Sequence, residues 1–185
     1  EHKGRVVLIT GGGSGMGRLA AQNFARAGAK VAALDVSETG LSETATGLDL
    51  ISTWQVDITD YAALAVVVDE VEKALGPLDA VYNAAAIMPL GRLTEHDNAT
   101  QHKIMDINYG GLVNITQAAL PRMLERGKGD FVSFASSAGL LPTMLTGAYS
   151  ASKAAVAFYT EILYHENINS GVRFACVCPV VVKTP

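Results

Sequence analysis

VVLITGGGSGMG, at residues 6–17, is the stretch that decides the fold of this chain. Its first four residues are apolar and mostly β-branched, which predicts a short buried strand. The five glycines among residues 11–17 predict a turn that lets a ligand approach the backbone. A helix should follow from Met16 to Ala27. A strand, a glycine turn and a helix in this order can hold a phosphate, because free N–H groups and the helix dipole meet the anion. The predicted inner face of the helix consists of Met16, Leu19, Ala20, Asn23, Phe24 and Ala27.

The spacing of the glycines departs from the usual dinucleotide pattern. Gly-x-Gly-x-x-Gly fits no register of this loop, which instead has Thr10-Gly11-x-x-x-Gly15-x-Gly17. A tight turn without a ligand is the alternative interpretation. The position of the loop, after a strand and before a helix, favours a nucleotide site. It is not a P-loop, because no Gly-Lys-Ser/Thr follows.

Length and composition favour one α/β domain spanning residues 1–185. The chain has 185 residues, 49% of them hydrophobic, which allows a substantial core. A net charge of −4 disfavours nucleic acid as a partner. We expect no signal peptide and no membrane partner, because the apolar runs are short and a strand begins almost at once. Cys176 and Cys178 are expected to be two small buried residues, which is typical of a reducing, cytoplasmic setting.

Predicted strands and helices alternate along the rest of the chain. This alternation predicts a doubly wound, Rossmann-like parallel sheet covered on both faces, with the ligand at the carboxyl ends of its strands. We expect Pro121 to bend or divide its helix. Further strands are predicted at 31–35, 52–56, 78–83, 130–134 and 173–177. Further helices are predicted within 37–47, from Thr59 or Asp60 to Leu75, at about 102–126 and at about 149–168.

Asp35 ends the second predicted strand, 18 residues after Gly17. This offset is close to that of the acidic residue that holds the adenosine ribose in dinucleotide sites. A cap on a helix or turn is the alternative role. A carboxylate here favours NAD over NADP, because a 2′-phosphate would lose a hydrogen bond and repel the carboxylate.

Tyr149 and Lys153 lie four residues apart on a predicted helix and therefore share a face. An ammonium beside a phenol favours the phenolate and lowers its pKa from about 10. Lowering that pKa to about 7 requires roughly 4 kcal/mol. Such a pair is common by chance, but the glycine loop upstream favours a functional interpretation.

With these residues in view, the sequence resembles the short-chain dehydrogenases/reductases over essentially its whole length. Several independent motifs in the right order are more specific than any one of them. The motifs are the loop from Thr10 to Gly17, Asp57-Ile58, Asn83 to Ala86, Asn108, Ser136, Tyr149-x-x-x-Lys153 and Pro179 to Thr184.

The resemblance implies roles for the matching residues. Tyr149 would be the general acid/base, Lys153 would bind the nicotinamide ribose, and Ser136 would bind the substrate oxygen, with Ser137 as its rival. Asn108 would hold a water in a proton relay; its alternative role is a buried amide satisfied by backbone. The implied cofactor-binding set is Gly11, Ser14, Gly15, Met16, Gly17, Asp35, Asp57, Ile58, Asn83, Tyr149, Lys153, Pro179 and Thr184.

Three departures from the family pattern matter. Asn-Asn-Ala-Gly is replaced by Asn83-Ala-Ala-Ala86, and the glycine that usually follows Pro179 is Val180. Family members run to about 250 residues, so the C-terminal part of the family fold is missing from this chain. The four histidines show no metal-ligand spacing, so no metal site is expected.

We therefore expect an NAD-dependent oxidoreductase that interconverts an apolar secondary alcohol and its ketone. An NAD-binding sensor with an impaired catalytic site is the alternative, favoured by Val180 and Ala86. An epimerase or dehydratase is a second enzymatic alternative. Such relatives usually carry a longer substrate domain, and nothing in this sequence provides one. The apolar surfaces of the later helices and the resemblance predict a homo-oligomer, either a dimer or a tetramer. The expected substrate pocket is lined by Met88, Leu90, Leu140, Leu141, Met144 and Leu145.

Overall fold

The computed structural model describes residues 2–180 and 182, and its centre is a six-stranded sheet. The strand order is β3-β2-β1-β4-β5-β6 and every neighbouring pair is parallel, which confirms the predicted doubly wound, Rossmann-like fold. The strands are β1 (Val6–Thr10), β2 (Lys30–Asp35), β3 (Ile51–Gln55), β4 (Ala80–Asn83), β5 (Gly129–Phe134) and β6 (Val172–Val177).

Helices cover both faces of the sheet. A five-residue π segment, Asp106–Gly110, joins two of them, and a 3₁₀ turn at Ser137–Gly139 follows β5. The α-helices are α1 (Gly15–Arg26), α2 (Glu38–Ala45), α3 (Tyr61–Leu75), α4 (Asn98–Met105), α5 (Gly111–Arg126) and α6 (Gly147–Glu166).

Alternate residues of β1 enter two separate cores, because both faces of a parallel sheet are covered. Val7 and Ile9 pack with α1, whereas Leu8 packs in the larger core built from α3, α5 and α6. All five residues of β1 are buried, and this burial fixes the position of the glycine loop that follows it.

The predicted inner face of α1 is only partly right: Ala20 and Phe24 pack against the core, but they lie beside the buried row and not in it. The buried residues are Gly17, Ala21 and Ala25, whereas Leu19 and Asn23 are exposed. Small side chains let the helix lie close to the sheet, and this close approach decides the face more strongly than the positions of the larger apolar residues.

The ends of α3 follow their sequence signals, but the long helix after β4 does not. Asp60 caps α3 by accepting a hydrogen bond from the Ala63 N–H at 3.0 Å. The predicted helix at 102–126 begins earlier, at Asn98, and is interrupted by the π segment. Helix α5 runs through Pro121 without a division there.

The expected burial of the two cysteines is wrong. Cys176 is exposed and Cys178 is half-buried, with both sulfurs as free thiols 4.0 Å apart. The reason is that β6 pairs only with β5 in the described part of the chain, so most of its residues face solvent. Although Cys176 is exposed as a residue, desolvation of its thiol, together with the neighbouring Cys178, raises the pKa of Cys176 to about 11.

Ion pairs hold the amino ends of three strands together. Asp130, at the start of β5, contacts Arg5 at 2.5 Å and Arg173 at 2.6 Å. Burial opposes ionisation of Asp130, but the hydrogen bonds from Arg173 and Arg5 outweigh it and lower the pKa of this carboxyl. These contacts link β1, β5 and β6 at the edge opposite the glycine loop.

Candidate active site

The carboxyl ends of the strands bring the predicted site residues to one edge of the sheet. Because β1 lies between β2 and β4, the glycine loop lies between Asp35 and Asn83. Ser136 follows β5, the next strand along. Thr184 and residues 181, 183 and 185 lie outside the described residues.

Glycine is required in the loop because other backbone comes very close. A Cβ at Gly11, where φ is +70°, would lie 2.7 Å from the Ala85 Cα. A Cβ at Gly17 would collide with the carbonyl of Gly11. These contacts bring the first turn of α1 against the end of β1 and the loop after β4 against the glycine turn.

The amino end of α1 suits an anion such as a dinucleotide pyrophosphate. Ser14 precedes the helix in an extended conformation and makes no side-chain cap bond, and the first turn contains no acidic residue. The first N–H groups of a helix lack partners within that helix, and its dipole favours negative charge. The predicted contacts from Ser14, Gly15, Met16 and Gly17 therefore fit the local geometry.

Asp35 holds two pieces of backbone at once. One carboxylate oxygen accepts from the Gly13 N–H at 3.0 Å and the other accepts from the Ser37 N–H at 2.9 Å. The alternative role as a turn cap is therefore present in the structure. Each oxygen of an ionised carboxylate has a second acceptor site, so ribose binding by Asp35 stays a prediction compatible with this geometry.

Asp57 and Ile58 contribute differently from one another. The Asp57 carboxylate accepts from the N–H and the hydroxyl of Thr59, at 2.9 and 2.8 Å, and so shapes the turn after β3. The Ile58 side chain is buried against Gly111. Only the backbone of Ile58 is therefore available to a ligand.

Thr10 links the ends of β1 and β4, and its hydroxyl had no assigned role at the sequence level. The hydroxyl donates to Asn83 Oδ1 at 2.6 Å and accepts from the Ala85 N–H at 3.3 Å. Thr10, oriented by Asn83, therefore holds the loop that follows β4, and this loop in turn touches Gly11. The threonine before the first glycine was a usable signal, since it ends a buried strand with a polar group.

Asn108 lies in the π segment and is completely buried among hydrogen-bond partners. Its oxygen accepts from the Ile87 N–H at 2.8 Å, and its amide donates to the Ile87 carbonyl at 3.0 Å and to Ser152 Oγ at 2.9 Å. The structure therefore contains the buried amide that was the alternative role. Both amide hydrogens are engaged, so any relayed water has to use the second acceptor site of the oxygen.

Tyr149 and Lys153 come together on α6, as their spacing predicts. The Lys153 ammonium lies 5.8 Å from the centre of the Tyr149 ring and donates to the carbonyl of Phe134 at 2.7 Å. Burial lowers the pKa of Lys153 to about 8. Ser152, also buried, donates to the Tyr149 carbonyl at 2.7 Å and thereby joins this turn of α6 to Asn108.

Ser136 caps the 3₁₀ turn that packs on α6. Its hydroxyl accepts from the Ala138 N–H at 3.2 Å, while the Ser137 N–H donates to the Pro179 carbonyl at 3.0 Å. A Cβ at Gly139 would lie 2.6 Å from the carbonyl carbon of Lys153, so glycine allows the turn to touch the helix. Ser136 is buried and Ser137 is half-buried, and the structure describes no hydrogen bond from either to Tyr149.

Two apolar loops border this edge of the sheet. The Gly91 N–H donates to the Leu145 carbonyl at 2.9 Å, so the loops after β4 and after the 3₁₀ turn meet. Leu145 has a φ of +67°, which is unusual for a residue with a side chain. Their exposed apolar side chains are Met88, Leu90, Leu140, Leu141, Met144 and Leu145.

No group of three or more His, Cys, Asp or Glu side chains in the described part of the chain converges as metal ligands would. Among the helices at residues 2–180, none has the length and apolar character needed to cross a bilayer.

Comparisons with known proteins point to one family. The family model described as short chain dehydrogenase matches residues 5–185. The chain is 34% identical, over 99% of its own length and 60% of the relative, to 2-keto-3-deoxy-L-fuconate dehydrogenase from Xanthomonas campestris pv. campestris. It is 36% identical to 2-(S)-hydroxypropyl-CoM dehydrogenase 3 from Xanthobacter autotrophicus, covering 98% of this chain and 73% of that one. The solved structure of levodione reductase superimposes with a TM-score of 0.91 at 31% identity, covering 99% of this chain and 74% of that one. The chain thus spans 60% to 74% of the length of these three proteins.

Proposed function

The chain belongs to the short chain dehydrogenase family, and from this premise we propose that it transfers a hydride between NAD(H) and an apolar secondary alcohol or its ketone. The observation that carries the proposal is the pairing of Tyr149 with the buried Lys153 ammonium, 5.8 Å from the ring centre. A positive charge beside a phenol favours its ionised form, which is the form that accepts a proton.

In this proposal, each residue acts on the substrate oxygen or on the group that does so. Tyr149 accepts the hydroxyl proton when the alcohol is oxidised and returns a proton to the oxygen when the ketone is reduced. Ser136 donates a hydrogen bond to the same oxygen, and Lys153 holds its charge beside the phenol through its anchor on Phe134. When bound, NAD⁺ would supply the acceptor for the hydride from the carbinol carbon.

The substrate class is proposed from the two apolar loops. Met144 is 90% exposed and Leu141 is 68% exposed, so the loops present large apolar side chains at the edge of the sheet that also carries Ser136. Such side chains favour a secondary alcohol with an alicyclic, aromatic or long alkyl body over a polyol.

The net charge of −4 and the free thiols support a cytoplasmic protein without a nucleic-acid partner.

The test is an NADH fluorescence titration followed by a turnover assay with NAD⁺ and a matched panel of alcohols. We expect NADH to bind and the apolar secondary alcohols to be oxidised faster than polyols. A strong preference for sugars would contradict the proposed substrate class.

An NAD-binding sensor is the second candidate, and the environment of Val180 is the observation that favours it. Val180, which is 80% exposed, occupies the position after Pro179 where the family usually has glycine. Its branched side chain would crowd a nicotinamide bound there. Binding of NADH without turnover across the whole panel would select the sensor over the enzyme.

The proposed cofactor is NAD(H), and Asp35→Ser tests this choice. The carboxylate would accept hydrogen bonds from the ribose hydroxyls and repel a 2′-phosphate, an effect of roughly 3–5 kcal/mol or about 10²–10⁴ in discrimination. We expect the ratio of kcat/KM for NAD⁺ over NADP⁺ to fall in Asp35→Ser. Asp49→Ser, which removes an exposed carboxylate before β3 and outside the implied cofactor-binding set, is the control. An unchanged ratio in Asp35→Ser would remove Asp35 from the cofactor site.

A further inference from the structure

Arg18 is folded back onto the glycine loop instead of extending into solvent. Its Nε donates to the Gly13 carbonyl at 3.1 Å, and its Nη2 donates to the same carbonyl. The side chain is 26% exposed. The guanidinium is therefore used to hold the loop, although it lies one residue beyond the last glycine.

Glu43 on α2 holds this guanidinium from the other side. Its carboxylate contacts Arg18 Nη2 at 2.8 Å, and the Gly40 carbonyl accepts from the same nitrogen at 3.4 Å. Glycine at position 40 is required for this approach, since a Cβ there would lie 2.6 Å from the Gly13 carbonyl oxygen. Arg18 is thus bound between the loop and α2.

Gly13 places this arginine close to the proposed ribose site. Asp35 holds the N–H of Gly13 at 3.0 Å, whereas Arg18 holds the carbonyl of the same residue. One residue therefore separates the carboxylate that would bind the ribose from a guanidinium. A phosphate on the ribose 2′-oxygen would carry about −1.5 to −2 charges into this space.

We propose that Glu43 is a specificity-determining residue for the dinucleotide, because it retains Arg18 on the Gly13 carbonyl and withholds that charge from a 2′-phosphate. This inference rests on the proposed function, namely that the loop binds a nicotinamide dinucleotide. A guanidinium is the side chain best suited to bind phosphate, since its planar fork offers two parallel donors. Discrimination against the 2′-phosphate then has two sources: repulsion by Asp35 and neutralisation of Arg18 by Glu43.

The test measures dissociation constants for NAD⁺ and NADP⁺ by calorimetry, so it does not depend on turnover. In Glu43→Gln the charge that holds Arg18 is lost and the shape is kept. We expect the ratio of the NADP⁺ to the NAD⁺ dissociation constant to fall about threefold to fivefold, the size of one exposed ion pair. Glu38→Gln is the matched control, since it removes a charge from the first turn of the same helix and does not pair with Arg18 in the structure.

A double variant separates release of Arg18 from a general loss of negative charge. If Arg18 carries the effect, Arg18→Met combined with Glu43→Gln shows the same ratio as Arg18→Met alone. The inference is overturned if Glu38→Gln lowers the ratio of dissociation constants as much as Glu43→Gln does. It is also overturned if the double variant has a lower ratio than Arg18→Met alone. Unchanged ratios with intact NAD⁺ binding overturn it as well and leave the proposed function standing. Failure of the unmodified protein to bind NAD⁺ overturns both.

Discussion

Tyr149 and Lys153 show how far single residues can be understood from their spacing. Four residues on a helix bring the two side chains to one face, and the Lys153 ammonium lies 5.8 Å from the centre of the Tyr149 ring. The anchor of Lys153 on the Phe134 carbonyl was not predictable, because a backbone carbonyl at a distant strand end has no sequence signature. Asn108 had two possible roles, holding a relay water or being a buried amide bonded to the protein. Both roles require the same amide, and only the positions of Ile87 and Ser152 distinguish them.

Removal of the Tyr149 hydroxyl is the most direct test at this scale. We expect Tyr149→Phe to lower kcat by about 10²–10⁴-fold, because the phenol oxygen has to move a proton in the transition state. The NADH dissociation constant should stay close to that of the unmodified protein. Tyr164→Phe, on the same helix but 44% exposed, is the control and should retain its activity. Activity of Tyr149→Phe within a few-fold of the unmodified protein would refute the assignment.

Lys153 makes stability depend on pH, and burial is the cause. Burial lowers the pKa of Lys153 in the folded chain to about 8, from an ordinary value of 10.5. Between these values the unfolded chain binds more protons than the folded chain, so the contribution of Lys153 to stability rises with pH. The cost of burying the charge is complete below about pH 8 and is relieved towards pH 10.5.

Urea unfolding of the protein and of Lys153→Met across pH 7.5–10.5 measures this contribution. As the pH rises, we expect the unfolding free energy of the unmodified protein to increase by about 3 kcal/mol relative to that of Lys153→Met. Lys103→Met, at an exposed position on α4, should show a constant difference. A constant difference for Lys153→Met would mean that the amine stays charged in the folded chain throughout this range.

At the scale of the elements, periodicity predicted where helices and strands occur but not how closely they approach. The inner face of α1 was predicted only in part, because the close approach of Gly17 to the Gly11 carbonyl selects a buried row of small residues. The π segment was also missed, since a single wider turn leaves the apolar spacing on either side of it helical. The end of α3 at Gly76 was predictable because its signal is local.

The loop before α6 contains a strained position that can be tested. Leu145 has a φ of +67° and a side chain that is 49% exposed. A left-handed conformation costs a side-chain-bearing residue about 1–2 kcal/mol, and glycine avoids that cost at some expense in chain entropy. We expect Leu145→Gly to raise the unfolding free energy by roughly 0.5–1 kcal/mol. In urea titrations, Leu141→Gly, at a negative φ in the same loop, should instead be neutral or destabilising, and a destabilised Leu145→Gly would contradict the expectation.

At the scale of the whole molecule, the alternation of strands and helices was sufficient to predict the parallel sheet, because parallel strands need crossover helices. It was not sufficient to predict the exposure of β6. Burial of an outer strand depends on what pairs with it. The apolar run around Cys176 is equally typical of an inner strand and of an outer strand, so it does not predict exposure. The environment of the two cysteines was therefore predicted wrongly, although the fold was right.

We propose that the molecule is a homo-oligomer that buries the outer faces of α5 and α6. Phe158 is 69% exposed and Ile162 is 41% exposed, and both lie on α6 outside the core. Light scattering at micromolar concentration should give a dimer or a tetramer, and Phe158→Glu should shift the protein towards monomer. Leu19→Glu, at an exposed apolar position on α1, is the control and should leave the oligomer mass measured by light scattering unchanged. A monomeric unmodified protein would contradict the proposal.

The π segment also has a consequence for changes in chain length. It amounts to one extra residue within what would otherwise be a continuous α-helix from Asn98 to Arg126. Deletion of one residue between 106 and 110 would restore that helix and turn α4 by about 100° relative to α5. Asn108 could then no longer face both the Ile87 backbone and Ser152. Substitutions at the other four residues of this segment are therefore expected to be milder than any insertion or deletion, because the length of the segment sets the orientation of the Asn108 amide.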